Sequence, residues 1–141
     1  MASLMEELIS TLTQEEALYQ KMIPVSEEKT KAIIANDLEA LQSVTDQEQI
    51  MVDQVGMLEK KRMEVVKNIG VVLSRNPDTL TLQAIVDVLH NQPKEQRLLR
   101  EIHDKLKATT SRLKDINGQN KSLIEESLEM IEFNMNVLRS T

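Results

Sequence analysis

The chain has no cysteine and no tryptophan, one tyrosine, one phenylalanine, three glycines and three prolines in 141 residues. Without cysteine there is no disulfide framework, no thiolate nucleophile and no thiolate zinc site. The near absence of aromatic rings removes the large side chains that usually fill a compact core, and the paired aromatics on which single-stranded bases stack. So little glycine and proline leaves few turns. No apolar run approaches the length that spans a bilayer, and the first residues, Met1-Ala2-Ser3-Leu4-Met5-Glu6-Glu7, lack the basic stretch and apolar run of a secretory signal. The expectation is a soluble cytoplasmic protein with no membrane insertion.

What remains is rich in Leu, Ile, Glu, Lys, Gln and Met, the composition of an all-α domain of ordinary size. Long helices that meet along narrow aliphatic seams suit it, and eight methionines make those seams adaptable. The net charge of −6 hides a gradient. Residues 1–59 carry twelve acids against three lysines, and residues 60–120 carry twelve bases against seven acids. The acidic half argues against nucleic acid as a ligand. Antiparallel helices would lay the acidic half on the basic half.

Ser3 with Glu6 three residues later has the form of a capping box opening a first helix. Its apolar stripe is Leu4, Leu8, Leu12, Tyr19, Met22 and Ile33, and Pro24 inside it predicts a kink near Ile23. Asn36-Asp37 marks a tight reversal. A seven-residue repeat follows: Leu41, Val44, Glu48, Met51, Val55, Leu58, Arg62, Val65, Ile69 and Val72. It predicts a second helix from about Asp37 to Leu73, ~55 Å long, stopped by Asn76-Pro77-Asp78. A short helix capped by Asp78 or Thr79 uses Leu82, Ile85, Val86 and Leu89. Pro93 then opens a last helix with seam positions Leu99, Ile102, Leu106, Thr109, Leu113, Ile116, Asn120, Leu123, Ser127 and Met130. The architecture expected is an extended antiparallel bundle of three long helices and one short one, with coiled-coil-like seams.

Chemistry is hard to find. A di-iron bundle site needs Glu-x-x-His on two helices. The two histidines, His90 and His103, are preceded at that spacing by Asp87 and Arg100. No Gly-x-Ser-x-Gly turn or Gly-rich phosphate loop exists, so neither an enzyme nor a cofactor or metal is expected. Polar residues do fall on the apolar stripes: Glu15, Glu48, Arg62, Asn120 and, nearly, Asn117. Buried charge must be paired, and Glu48 and Arg62 are too far apart on one helix to meet, so each must look to another helix, with Asn120 a natural neighbour. Their expected role is to fix helix register.

The last segment carries more apolar surface than one packed face needs. At 100° per residue, Leu123, Ile124, Leu128, Ile131, Met135 and Leu138 share a sector about 140° wide, and Phe133, Val137 and Met130 extend it by about 80°. A helix packed on one side needs little more than about 100°. Either this is a central helix touched on two sides by its own chain, or a partner takes the surplus. Gly118, in the Asn117-Gly118-Gln119-Asn120 interruption just before it, either admits a close backbone or acts as a hinge.

Leu113-Lys114-Asp115-Ile116-Asn117-Gly118-Gln119-Asn120 followed by Leu123-Ile124-Glu125 resembles the Leu-x-x-Leu-Asn-x-x-Asn-x-x-Leu-Leu pattern of the FlgN family of flagellar type III export chaperones. Asp37-Leu38-Glu39-Ala40-Leu41, Glu48, Leu58-Glu59 and Arg62 are similar to that family's second helix, and Glu15-Glu16 ahead of Leu18-Tyr19 to its first. The resemblance covers nearly the whole chain. It implies a cytoplasmic chaperone for hook-associated proteins of the hook–filament junction that binds a client's C-terminal amphipathic helix, prevents premature assembly and delivers the client to the export apparatus. Carried onto this chain, the client-binding residues are Leu123, Ile124, Leu128, Ile131, Met135 and Leu138, with Phe133 flanking. Residues 1–141 then form one domain, with 1–116 the bundle and 119–141 the client-binding helix. Some family members continue into a polar tail; this sequence stops at Thr141, so export-apparatus docking through such a tail is not expected. The competing reading is a self-associating helical scaffold, a homo-oligomer built on the Leu41–Val72 seam.

Overall fold

A computed structural model describes residues 2–140 of the chain. Helix formers dominate, and the breaks fall where Asn, Pro and Thr cluster. The elements are α1 (Ala2–Ile34), α2 (Leu38–Leu73), α3 (Leu82–Val88) and α4 (Pro93–Ser140), with 3-10 turns at Pro77–Thr79 and Leu89–Asn91. No strand occurs among the described residues. The chain is all-α. Helix α1 is already running at Ala2 and passes through Pro24 without a break. Ser3 therefore lies inside the helix, and the cap expected of its side chain falls outside the described residues.

The punctuation is local chemistry. Asn36 takes a left-handed φ of 55°, and Asp37 caps α2 by accepting a 3.0 Å hydrogen bond from the Ala40 amide. At the other end Ser74 is left-handed, and Arg75 N donates back to the Gly70 carbonyl at 2.8 Å. A Cβ on Gly70 would stand 3.0 Å from the Arg75 carbonyl oxygen, so glycine lets the chain fold tightly over the helix end. The cap of α3 is Thr81, whose hydroxyl accepts from the Ala84 amide, and not Asp78 or Thr79. Those two residues are taken up by the preceding 3-10 turn, which Asn76 caps. Pro93 is the first residue of α4, where its missing N–H is harmless.

Side-chain pairs set the helix directions. Glu15, Tyr19 and Lys29 of α1 meet α2 partners in reversed order: Glu15 pairs with Arg62, Tyr19 with Glu59 and Lys29 with Glu48. Thus α2 runs antiparallel to α1. Between α1 and α4 the sequence separation stays nearly constant, at 89 for Gln20–Thr109, 91 for Ser26–Asn117 and 90 for Thr30–Asn120. Thus α4 runs parallel to α1. Helix α1 packs along both α2 and α4, while α2 and α4 make no close backbone contact with each other among the described residues. The central helix, touched on two sides, is therefore α1. The single stripe expected for it accounts for only one of its two faces; Met5, Thr11, Glu16, Ile23 and Ser26 are also buried.

Of the α2 repeat, Val44, Val55, Val65 and Ile69 are buried and five more positions are half-buried. The last, Val72, is 53% exposed. A straight helix drifts about 20° per heptad against a seven-residue repeat, so by the fifth heptad Leu73 has rotated into the core instead. The apolar core sits at one end of the rod. Met5, Leu8 and Leu12 of α1 meet Val65 and Ile69 of α2, Ile85 and Leu89 around α3, and Leu99, Ile102 and Leu106 of α4. The accessible surface of 9544 Å² exceeds the about 7,400 Å² expected of a compact protein of 16.1 kDa. The excess belongs to an elongated molecule with one bare end.

Candidate functional site

That bare end is built by a difference in helix length. The Thr30–Asn120 pair fixes the α1–α4 register, which places Ile34, the last residue of α1, level with Ile124. Helix α4 continues to Ser140. It therefore stands about 16 residues, or ~24 Å, beyond the α1–α2 turn. Along this overhang Leu128, Met130, Ile131, Phe133 and Met135 are 48–63% exposed, and Leu138 is 74% exposed. These are the exposures of a helix standing in water. Nothing among the described residues folds back over it.

The seven residues singled out in the sequence divide by their distance from the turn. Leu123 and Ile124 are half-buried against it. Leu128 and Ile131 line a cavity of about 180 Å³ with Ala32, Ile33, Leu38 and Leu41. Ile131 and Met130 also line an adjoining groove, with Ile33, Ile34 and Leu38. Phe133, Met135 and Leu138 lie farther out. The floor of both grooves is the α1–α2 turn, where Ile34 is 67% and Leu38 78% exposed. These two floor residues were not foreseen. The Asn36-Asp37 reversal located the turn in sequence, but only the α1–α4 register brings it beside Ile131.

Below the turn the helices are joined by polar pairs. Glu15, fully buried, accepts from Arg62 Nη1 at 2.8 Å, and Lys29 Nζ lies 3.2 Å from Glu48 Oε2. Both α2 residues thus look to α1, as expected. Asn120, 3% exposed, instead accepts from the Thr30 hydroxyl and donates to the Ser26 carbonyl at 3.1 Å. It pairs with α1 and not with Glu48 or Arg62. Asn117 is exposed and reaches the Ser26 hydroxyl only at 3.5 Å. Thr109, a polar residue on the predicted α4 seam, joins a further cluster in which it donates to Glu16 at 2.8 Å and Gln20 donates to both, a link to α1 with no local signature. Burial raises the Glu15 carboxyl above its ordinary range against the opposing pull of Arg62. Burial and the neighbouring Glu59 push the Tyr19 hydroxyl up to about 12.

Helix α4 is continuous through Gly118, so the interruption read at 117–120 is not a break. A Cβ on Gly118 would meet nothing within 4 Å, which removes close backbone approach as the reason for glycine there. His103 Nδ1 lies 3.3 Å from Asp104 on the surface, and no cluster of His, Asp or Glu among the described residues could hold a metal ion. No helix among the described residues is long and apolar enough to cross a membrane.

Comparison with known proteins gives this geometry a context. The chain matches the family described as FlgN protein over residues 1–141. It is similar to a protein of Bacillus subtilis (strain 168) named uncharacterized protein YvyG, 25% identical over 121 residues, which span 86% of this chain and 72% of that protein. No solved structure matches it.

Proposed function

The chain belongs to the FlgN family of flagellar export chaperones, and from that premise we propose that the overhang of α4 binds the C-terminal amphipathic helix of a hook-associated protein. The observation that carries this reading is the exposed apolar face of Leu128, Met130, Ile131, Phe133 and Met135 beyond the end of α1. A contiguous apolar face left open on a monomer marks a site of interaction. The client's helix, laid along α4 over the Ile34–Leu38 turn, continues the bundle where α1 and α2 stop. This is helix-in-groove recognition. It hides in the cytoplasm the stripe through which clients would otherwise assemble, until delivery to the export apparatus.

The magnitudes suit reversible capture. Completing the burial of five half-exposed side chains is worth roughly 5–8 kcal/mol gross. With a similar contribution from the client and several kcal/mol of association cost, a dissociation constant of order micromolar is expected. In this reading Asn120 and the Glu16–Gln20–Thr109 cluster hold the register that aims α4, Glu15–Arg62 and Lys29–Glu48 hold α2 on α1, and Gly118 lets α4 flex just before Asn120.

The scaffold alternative is less favoured, because the seam from Leu41 to Ile69 packs on α1 of the same chain. Isothermal titration of the full chain with C-terminal peptides of hook-associated proteins tests the proposal. One-to-one binding to the wild type, lost in Leu128→Asp with helicity retained, is the expected result. No heat from any such peptide, with a stable oligomer in sedimentation, would replace the chaperone site with self-association.

A further inference from the structure

The overhang has a charge pattern unlike the rest of the chain. Between Lys121 and Arg139 it carries Glu125, Glu126, Glu129 and Glu132 and no base. None of the four joins an ion pair among the described residues, whereas Glu15, Glu27 and Glu48 each meet a cation elsewhere. Their placement follows from helix geometry. With Leu123 at zero, the apolar sector runs from Phe133 at about 280° through zero to Leu128 at about 140°. Glu129 at about 240° borders one edge and Glu132 at about 180° the other. Glu126, at about 300°, lies inside the sector and lines the groove with Ile34, Met130 and Ile131.

We propose that the occupant of this face is an amphipathic helix of about four turns whose apolar stripe is bordered on both sides by lysine or arginine. The inference rests on the docking role given to the overhang above and names the class of helix it accepts. Glu126 decides the matter. An uncharged helix laid over the sector would strip water from its carboxylate and leave it unpaired, which is strongly unfavourable. A basic side chain at the edge of the stripe reaches it and removes that penalty. Glu129 and Glu132 then meet the flanks of the incoming helix, where opposite charges fix register and speed encounter. A second copy of this chain fits poorly. Two overhangs laid together bring four glutamates from each copy into one interface with Arg139 as the single base each can offer in return.

The test uses two synthetic 16-residue helical peptides with the same apolar stripe, one flanked by lysine and arginine and one by glutamate. Each is titrated calorimetrically into the full chain and into the Glu125→Gln/Glu126→Gln/Glu129→Gln/Glu132→Gln variant. The basic peptide should bind the wild type at least about 10-fold more tightly at low ionic strength, with the preference falling below about 2-fold at ~0.5 M salt. It should also vanish in the glutamine variant, whose helicity is checked by circular dichroism. Equal binding of both peptides by the wild type would overturn the charge inference and leave the docking role standing. Failure of both peptides, with hook-associated peptides also silent, would overturn both. A wild type that sediments as a dimer through the overhang and excludes both peptides would make the occupant a second copy and refute the proposal.

Discussion

Replacing Ile131 with aspartate should separate binding from folding. Ile131 is 55% exposed and lies beyond the end of α1, so roughly half of its burial is still to be gained. In the free chain the substitution removes only partial contacts with the turn. The loss should be about 1 kcal/mol or less, which lowers Tm by no more than about 4 °C in a chain of this length. Leu99, fully buried in the core, is the control. Leu99→Ala deletes a close-packed side chain at a cost of about 2.7–5 kcal/mol, or roughly 10 °C or more. For binding the order reverses. Ile131→Asp forfeits about 1–1.5 kcal/mol of apolar burial and sets a carboxylate against the client's stripe, so affinity should fall at least about 100-fold. Leu99→Ala, assayed where it is still folded, should bind within about 3-fold of wild type. Thermal circular dichroism and calorimetric titration supply both numbers. An Ile131→Asp chain that melts as early as Leu99→Ala would show the overhang to be part of the core. One that folds and binds like the wild type would move the site elsewhere.

Arg62→Met should destabilise at pH 7 by about 2–3 kcal/mol, less than for a fully buried pair because Arg62 is 28% exposed. Since the folded carboxyl of Glu15 is raised, its contribution is fully present below its ordinary value of 4.5 and is lost as pH rises through the folded value. The gap between variant and wild type should therefore narrow towards pH 5, and a gap that widens there would contradict the pairing. Tyr19 is the one tyrosine in a chain without tryptophan, so absorbance near 295 nm follows it alone. Its midpoint should fall near 12 in the folded chain, and near 10.0 in denaturant. The stability it contributes is lost as pH rises between those values; a midpoint near 10 with helicity intact would place Tyr19 in water. Gly118→Ala and Gly56→Ala, neither with a neighbour within 4 Å, should each stabilise by about 0.5–1 kcal/mol in denaturant titration. Only Gly118→Ala should change the dissociation rate of a bound client peptide, and identical rates would remove the hinge.

The seven-residue repeat from Leu41 to Ile69 was legible because one partner helix imposes one stripe. It failed at Val72, where drift between 3.5 and 3.6 residues per turn had accumulated. The starts of α2 and α4 were legible because the Asp37 carboxylate caps an amide three residues on and Pro93 lacks only an N–H the first turn does not use, both local effects. The second face of α1 was hidden because it is not an apolar stripe. Glu16 and Ser26 are buried there, and their partners Thr109, Asn117 and Asn120 lie about 90 residues away. The width of the apolar sector after Leu123 could be counted along the sequence. Whether the chain's own helices cover it depends on the register between α1 and α4, which has no local signature.

That register also explains how stability and exposure coexist in one rod. The close-packed core lies among Met5–Leu12, Val65–Ile69, Leu80–Leu89 and Leu99–Leu106, at the end of the molecule opposite the overhang. From Gln20 to Thr30, α1 is tied to α4 largely through hydrogen bonds, with Ile23 and Leu113 among the few buried aliphatics between them. A hydrogen bond contributes only about 1 kcal/mol net, but it is directional, and a slipped register would leave Asn120 and Glu16 buried without partners. The polar stretch therefore specifies where α4 lies more than it holds it there. Apolar packing at the far end supplies the stability, so the tip of α4 can keep its side chains in water without endangering the fold. A helix seated on that tip adds to a bundle already formed, and its departure leaves the core untouched.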